Sequence, residues 1–233
     1  MSPVETILAE RIAQVRGTLA EACRRGDRPA DAVTLVAVTK TVPPEVARIA
    51  FDLGLTDLGE SKPQELWKKV AAIPEATWHL IGHLQRNKID RTVPLAKLIH
   101  SVDSLRLLEA LDAFGRKRGS PVPVLLEVNC SRESSKGGFR PEEFRALSDT
   151  ALSLSGVSVQ GLMTMAAFHD DPELCRPAFA ELRELRDALC TRTGLPLPHL
   201  SMGMSNDYAI AVEEGSTLVR IGTTLFEGLG ELT

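Results

Sequence analysis

The chain has 233 residues, a formal net charge of −4 and a hydrophobic fraction of 43%. That is enough to bury a substantial core as one domain, and the mild acidity, with no basic stripe interleaved with aromatics, excludes a nucleic-acid surface. No apolar run approaches the roughly 20 residues of a membrane span. The start, Met1-Ser2-Pro3-Val4-Glu5, lacks a charged region followed by a hydrophobic one. Cys23, Cys130, Cys175 and Cys190 are scattered with no CxxC pair, so the expectation is a cytoplasmic protein with reduced thiols.

Over residues 4 to 25, Val4, Ile7, Leu8, Ile12, Val15, Leu19 and Ala22 fall on one face of a predicted helix. The uncharged run Thr34 to Thr39 reads as a buried strand ending at Lys40, and a helix follows over Pro44 to Leu53. Short apolar segments at 56–59, 77–82, 98–102, 122–130, 157–163, 197–202 and 217–222 continue as strands. Helical stretches at 61–72, 84–96, 103–118, 141–153, 171–192 and 205–214 separate them. Strict alternation of this kind implies a parallel sheet. The expected fold is α/β, a single (β/α)8 TIM barrel with an extra N-terminal helix. An open sheet of about six or seven strands is the alternative, since 56–59 and 197–202 are weak strands. With no internal repeat or Pro/Gly-rich linker, residues 1–233 read as one domain, with helix 1–25 packing on the barrel.

In such a barrel, chemistry collects where strands end. An ammonium held against apolar walls loses hydration and yields a nucleophilic amine, so Lys40 suits a Schiff-base lysine. It equally suits a lysine whose stem packs while its head reaches water. The loop Ser201 to Ser205 runs into a predicted helix, and Gly222-Thr223 follows the last strand. Free amides and a helix dipole make this an anion site, in the place where barrels commonly hold phosphate. Met163 ends the sixth strand. His79 and His83 lie on a strand and its glycine end, too far apart in register to share a metal, while His100 reads as a hydrogen-bonded core histidine. Glu60 is a general base or a group that orients a neighbour. Neither GxSxG nor a P-loop is present.

Ala37-Val38-Thr39-Lys40, Gly59-Glu60, Trp78-His79-Leu80-Ile81-Gly82 and Leu84-Gln85-Arg86-Asn87-Lys88 form an ordered set. Val128-Asn129 with Ser135-Lys136-Gly137, Gly161-Leu162-Met163, Leu200 to Ser205 and Val219 to Thr223 continue it. Over nearly its whole length the chain resembles the YggS/PROSC family of pyridoxal phosphate homeostasis proteins. The resemblance implies a barrel like the N-terminal domain of alanine racemases, with pyridoxal 5′-phosphate (PLP) carried on Lys40. It also implies that Ser205, Gly222 and Thr223 hold the phosphate and that Arg220 faces the pyridine nitrogen. Asn87 and Lys136 would lie near the pocket, with Met163 and Ser201 lining it. Ser61 stands where the family usually has asparagine, and Val42 replaces a second lysine.

A guanidinium opposite the ring nitrogen stays charged and accepts no proton, which favours a weak electron sink. The only tyrosine is Tyr208, and the chain runs about ten residues beyond Gly222, with no second domain to supply a partner base. The expected function is PLP carriage and homeostasis without robust catalysis. The expected partners are PLP and PLP-dependent apo-enzymes, with no nucleic acid or membrane, and the chain is expected to be a monomer. The alternatives are a low-activity single-domain amino-acid racemase and a Schiff-base aldolase.

Overall fold

The computed structural model describes residues 2–230. Eight strands form, each at an apolar run: β1 (Thr34–Val38), β2 (Asp57–Glu60), β3 (Thr77–Leu80) and β4 (Leu98–Val102), then β5 (Val122–Glu127), β6 (Val157–Met163), β7 (His199–Ser201) and β8 (Leu218–Ile221). They lie parallel, pair in sequence order and close into a barrel. At the seam β8 pairs with β1, placing Arg220 beside Val36 and Ile221 beside Ala37. Both weak strands, β2 and β7, are therefore present, and the open-sheet alternative falls.

The nine α-helices of the described residues are α1 (Pro3–Arg25), α2 (Pro44–Asp52), α3 (Pro63–Ala72), α4 (Ile89–Thr92) and α5 (Leu105–Arg118), followed by α6 (Pro141–Ser153), α7 (Arg176–Thr193), α8 (Tyr208–Glu213) and α9 (Thr223–Phe226). A capping box starts α1: the Ser2 hydroxyl accepts from the Glu5 amide at 3.2 Å and the Glu5 carboxylate accepts from the Ser2 amide at 2.6 Å. Its buried face, Val4, Leu8, Ile12, Val15, Leu19 and Ala22, matches the predicted one except for Ile7, which is half-buried, and packs against α2, α8 and α9. Arg11 donates to the carbonyls of Leu225 and Glu227 at 3.0 and 2.8 Å, tying this first helix to the last.

Three expected elements differ. The helix expected over 84–96 is a 3₁₀ turn (Arg86–Lys88) running into the single turn of α4. The only buried apolar residues there are Leu84, Ile89 and Val93, and Pro94 follows at once, so too little apolar surface is covered to extend it. The strand expected to reach residue 130 stops at Glu127. Beyond it Val128 makes one isolated bridge to Phe139, and the Asn129 side chain donates to the carbonyls of Glu133 and Lys136 instead. The helix expected over 171–192 opens as a 3₁₀ turn, Pro172–Cys175.

Most of the core lies between barrel and helices; inside the barrel a small apolar cluster holds Val36, Leu98, Leu125, Met163 and Leu218. Gly161, at φ +151°, allows β6 to approach β7 closely, since a Cβ there would lie 1.9 Å from the His199 carbonyl oxygen, and it sits just past the register shift between β5 and β6.

Candidate functional site

Lys40 leaves the barrel at the rim. After β1, the Thr39 amide donates to the Gly59 carbonyl at 3.0 Å, and the Val42 amide to the Thr39 carbonyl at 3.1 Å, turning the chain outward. Lys40 is consequently exposed rather than walled by apolar side chains. The backbone behind it is pinned. Thr39 Oγ1 donates to Glu60 Oε1 at 3.0 Å, and Lys69 Nζ donates to the Thr39 carbonyl at 2.5 Å and pairs with the same Glu60 oxygen. Glu60 Oε2 accepts from the Ser61 amide at 3.2 Å. Thr39 and Glu60 are fully buried and Lys69 nearly so. Glu60 therefore orients a neighbour, the second of its two predicted roles.

Opposite, Gly222 packs against Val38, where an added Cβ would lie 3.3 Å from the Val38 Cβ and carbonyl oxygen. Lys40, two residues past Val38, thus stands beside the start of α9. Ser205 Oγ accepts from the Thr224 amide at 3.2 Å, joining the loop after β7 to that helix. The Asp207 carboxylate accepts from the Met204 amide at 2.6 Å. Burial pushes Asp207 up from the usual carboxylate range, against that bond and the Arg220 charge. Gly203, at φ +94°, lets the loop approach α8: a Cβ there would lie 2.6 Å from the Ala211 Cβ. Among the described residues the amides of Ser205, Asn206, Gly222 and Thr223 meet no protein acceptor. They form, with the Ser205 and Thr223 hydroxyls, a donor set suited to an anion.

Arg220 is buried beneath this cradle, donating through Nη1 to Ser201 Oγ at 2.5 Å and through Nη2 to the Thr164 carbonyl at 2.9 Å. Burial lowers its pKa to about 10, opposed by Glu127 and Asp207. Glu127, at the end of β5, is pushed up to about 7 by burial and then by Asp103.

Ser201 and Met163 are fully buried. They lie inside the barrel, Ser201 as the partner of Arg220 and Met163 in the inner apolar cluster. Asn87 is exposed in the 3₁₀ turn after β3. Lys136 is half-buried in the loop after β5, bound to the Ala166 carbonyl and the Glu133 carboxylate, both at 2.5 Å. His79 is buried, whereas His83 is exposed and bonded to Asp103 at 2.9 Å. Among the described residues no three His, Cys, Asp or Glu side chains converge as a metal site. Lys69 and Glu127 border the candidate site, and the sequence reading singles out neither. Glu127 is detectable as a carboxylate two residues beyond Leu125, on the inward face of β5.

A strand-end lysine, an anion cradle after the last two strands and a buried arginine below it define a barrel of the alanine racemase type. The sequence model described as "Alanine racemase, N-terminal domain" matches residues 17–229. A pyridoxal phosphate homeostasis protein of Aquifex aeolicus is 43% identical, with 93% of this chain and 96% of that protein covered. PipY of Synechococcus elongatus, solved with PLP bound, superposes with a TM-score of 0.81 at 34% identity, covering 94% of this chain and 99% of that one. D-threo-3-hydroxyaspartate dehydratase from Delftia sp., 22% identical with a TM-score of 0.70 over 95% of this chain and 61% of its own, shares the fold. The chain belongs to the pyridoxal phosphate homeostasis protein family.

Proposed function

We propose that this chain binds PLP at the C-terminal mouth of its barrel and serves PLP homeostasis inside the cell, handing the cofactor to apo-enzymes without robust turnover. The observation that carries the reading is Arg220, fixed by Ser201 and Thr164 directly below the free amides of the β7 and β8 loops. The donor set fits the cofactor: amides and hydroxyls for a dianion, a guanidinium for a ring nitrogen, and an amine at the rim. When bound, PLP supplies an aldehyde that a primary amine captures and a ring that withdraws electrons. Lys40 supplies the amine, and Ser205, Gly222 and Thr223 hold the phosphate. Met163 and Ser201 support the floor, with Asn87 and Lys136 flanking the mouth.

Arg220 donates and cannot take up a proton, so it leaves the ring a weak sink. Tyr208, the residue best suited to be a racemase's second acid, is buried in the apolar layer at the start of α8, which disfavours the racemase reading. The exposure of Lys40 suits a group that must let its cargo go. No helix among the described residues is long and apolar enough to cross a membrane. The test is the visible spectrum of the purified protein and of Lys40→Ala, with borohydride labelling and peptide mapping. A yellow protein labelled on the Lys40 peptide and a colourless variant are expected; label on Lys136 or Lys88 would refute the assignment. Exchange of the α-proton of alanine in deuterated water at about 1 s⁻¹ or faster would replace the carrier with a racemase.

A further inference from the structure

Beside the inner apolar cluster, the barrel holds two imidazoles. His79 of β3 and His100 of β4 are both buried, with ring centroids 5.0 Å apart in an edge-to-face arrangement. His100 Nδ1 lies 2.8 Å from Ser201 Oγ, and His100 Nε2 lies 2.9 Å from His79 Nδ1. His79 Nε2 lies 3.1 Å from Asp57 Oδ1. With the bond from Arg220 to Ser201, five side chains on five strands form one line through the barrel. It ends at the N-terminal mouth, where the Asp57 side chain is 24% exposed. A hollow of about 280 Å³ opens there between Asp57, His79, His199, Lys97 and Gln160.

We propose that Asp57, His79 and His100 are positioning residues for Arg220: the Asp57 carboxylate sets one donor direction along the line, and that direction turns the Ser201 oxygen towards the guanidinium. The inference rests on the reading that Arg220 faces the cofactor. A guanidinium only donates and an ionised carboxylate only accepts, so with both rings neutral the two ends fix the order between them. Ser201 accepts from Arg220 and gives its own hydrogen to His100 Nδ1. Neutral His100 then donates from Nε2 to His79 Nδ1, and neutral His79 donates from Nε2 to Asp57. Every polar atom in the line is satisfied with both rings uncharged, as burial demands.

The surroundings agree. Burial first, with the Arg220 charge adding to it, holds His100 well below the usual histidine range. Burial would raise Asp57, but bonds from His79 and Thr56 outweigh it and leave its pKa lowered. The other charged groups facing the line are Lys97 and His199 at the N-terminal mouth and Glu127 and Asp207 near Arg220. Reversing the order would require either Asp57 to donate as an acid or His79 to carry a proton on both nitrogens inside the barrel, and it would take from the Ser201 hydroxyl its acceptor on His100.

The tautomers are measurable by ¹⁵N-histidine NMR on cofactor-free protein at pH 7. Both His79 and His100 are expected as Nε2–H forms; an Nδ1–H or charged His100 would overturn the proposal, whatever the cofactor does. In Asp57→Asn the new amide can donate, so the order is free to reverse. His100 is then expected to show Nδ1–H, with PLP bound about tenfold more weakly, the worth of one misaligned charge-assisted hydrogen bond, and with a shifted absorption maximum. Wild-type tautomers, spectrum and affinity in a folded Asp57→Asn would show that the line only fills space. If that variant unfolds, the wild-type tautomers decide alone. If neither protein binds PLP, the functional reading fails while the tautomer result still stands.

Discussion

Lys69 and Glu60 put a buried ion pair behind the backbone that leads to the exposed Lys40. Removing one partner of such a pair strands the other charge, at a cost of about 3–5 kcal/mol, whereas replacing both with apolar groups is often nearly neutral. Lys69→Met is therefore expected to destabilise strongly and Lys69→Met/Glu60→Leu much less, as read by urea unfolding. Equal losses in the two variants would mean that Glu60 is satisfied by Thr39 and Ser61 alone. Glu127 makes a second residue-scale case. Its folded pKa is raised to about 7, above that of an unfolded carboxylate, so the folded state holds the extra proton between roughly pH 4.5 and 7. Stability falls as pH rises through that window and levels off above it, by up to about 3 kcal/mol. Glu127→Gln should remove that slope, and parallel stability curves for the two proteins would count against the assignment.

At the scale of elements, the loops after β7 and β8 act as one piece, because Ser205 Oγ takes the Thr224 amide. Ser205→Ala should weaken PLP binding more than pyridoxal binding, by a factor of roughly 10 to 150 if a hydrogen bond to a charged oxygen is lost. Equal losses in titrations with the two ligands would place Ser205 in the fold and not against the phosphate. Several elements were readable beforehand for physical reasons. The uncharged run before Lys40 and the prolines after it leave little choice, and the amphipathic period of α1 shows its buried face directly. The segment 84–96 misleads, since Leu84, Ile89 and Val93 mimic a helical face while their burial supports only one turn. Lys69 was illegible because its partner lies in another element: only the packed barrel brings α3 against the end of β2. Arg220 likewise sits in an ordinary strand pattern, and the family likeness, not periodicity, singled it out.

At the scale of the molecule, α1 is a strap across the closing seam. Its partners α8 and α9 flank β8, the strand that completes the barrel against β1. Arg25 of α1 reinforces this by pairing with Glu213 at 2.5 Å, and Arg28 just beyond it reaches the Val212 carbonyl at 2.7 Å. These contacts join the two ends of the sequence, so the entropic cost of closing the longest loop must be met before they contribute. During synthesis α1 precedes most of its cover, which comes from α8 and α9. Its buried thiol, Cys23, can report this: in ribosome-stalled chains it should remain open to alkylation until residues past α9 have emerged, and become protected only then. Protection in chains stalled before β8 would mean that α1 docks on the early half alone. Until that moment the stripe from Val4 to Ala22 has α2 beside it but lacks α8 and α9, and this partly covered apolar face is where a nascent chain is open to chaperones and to self-association.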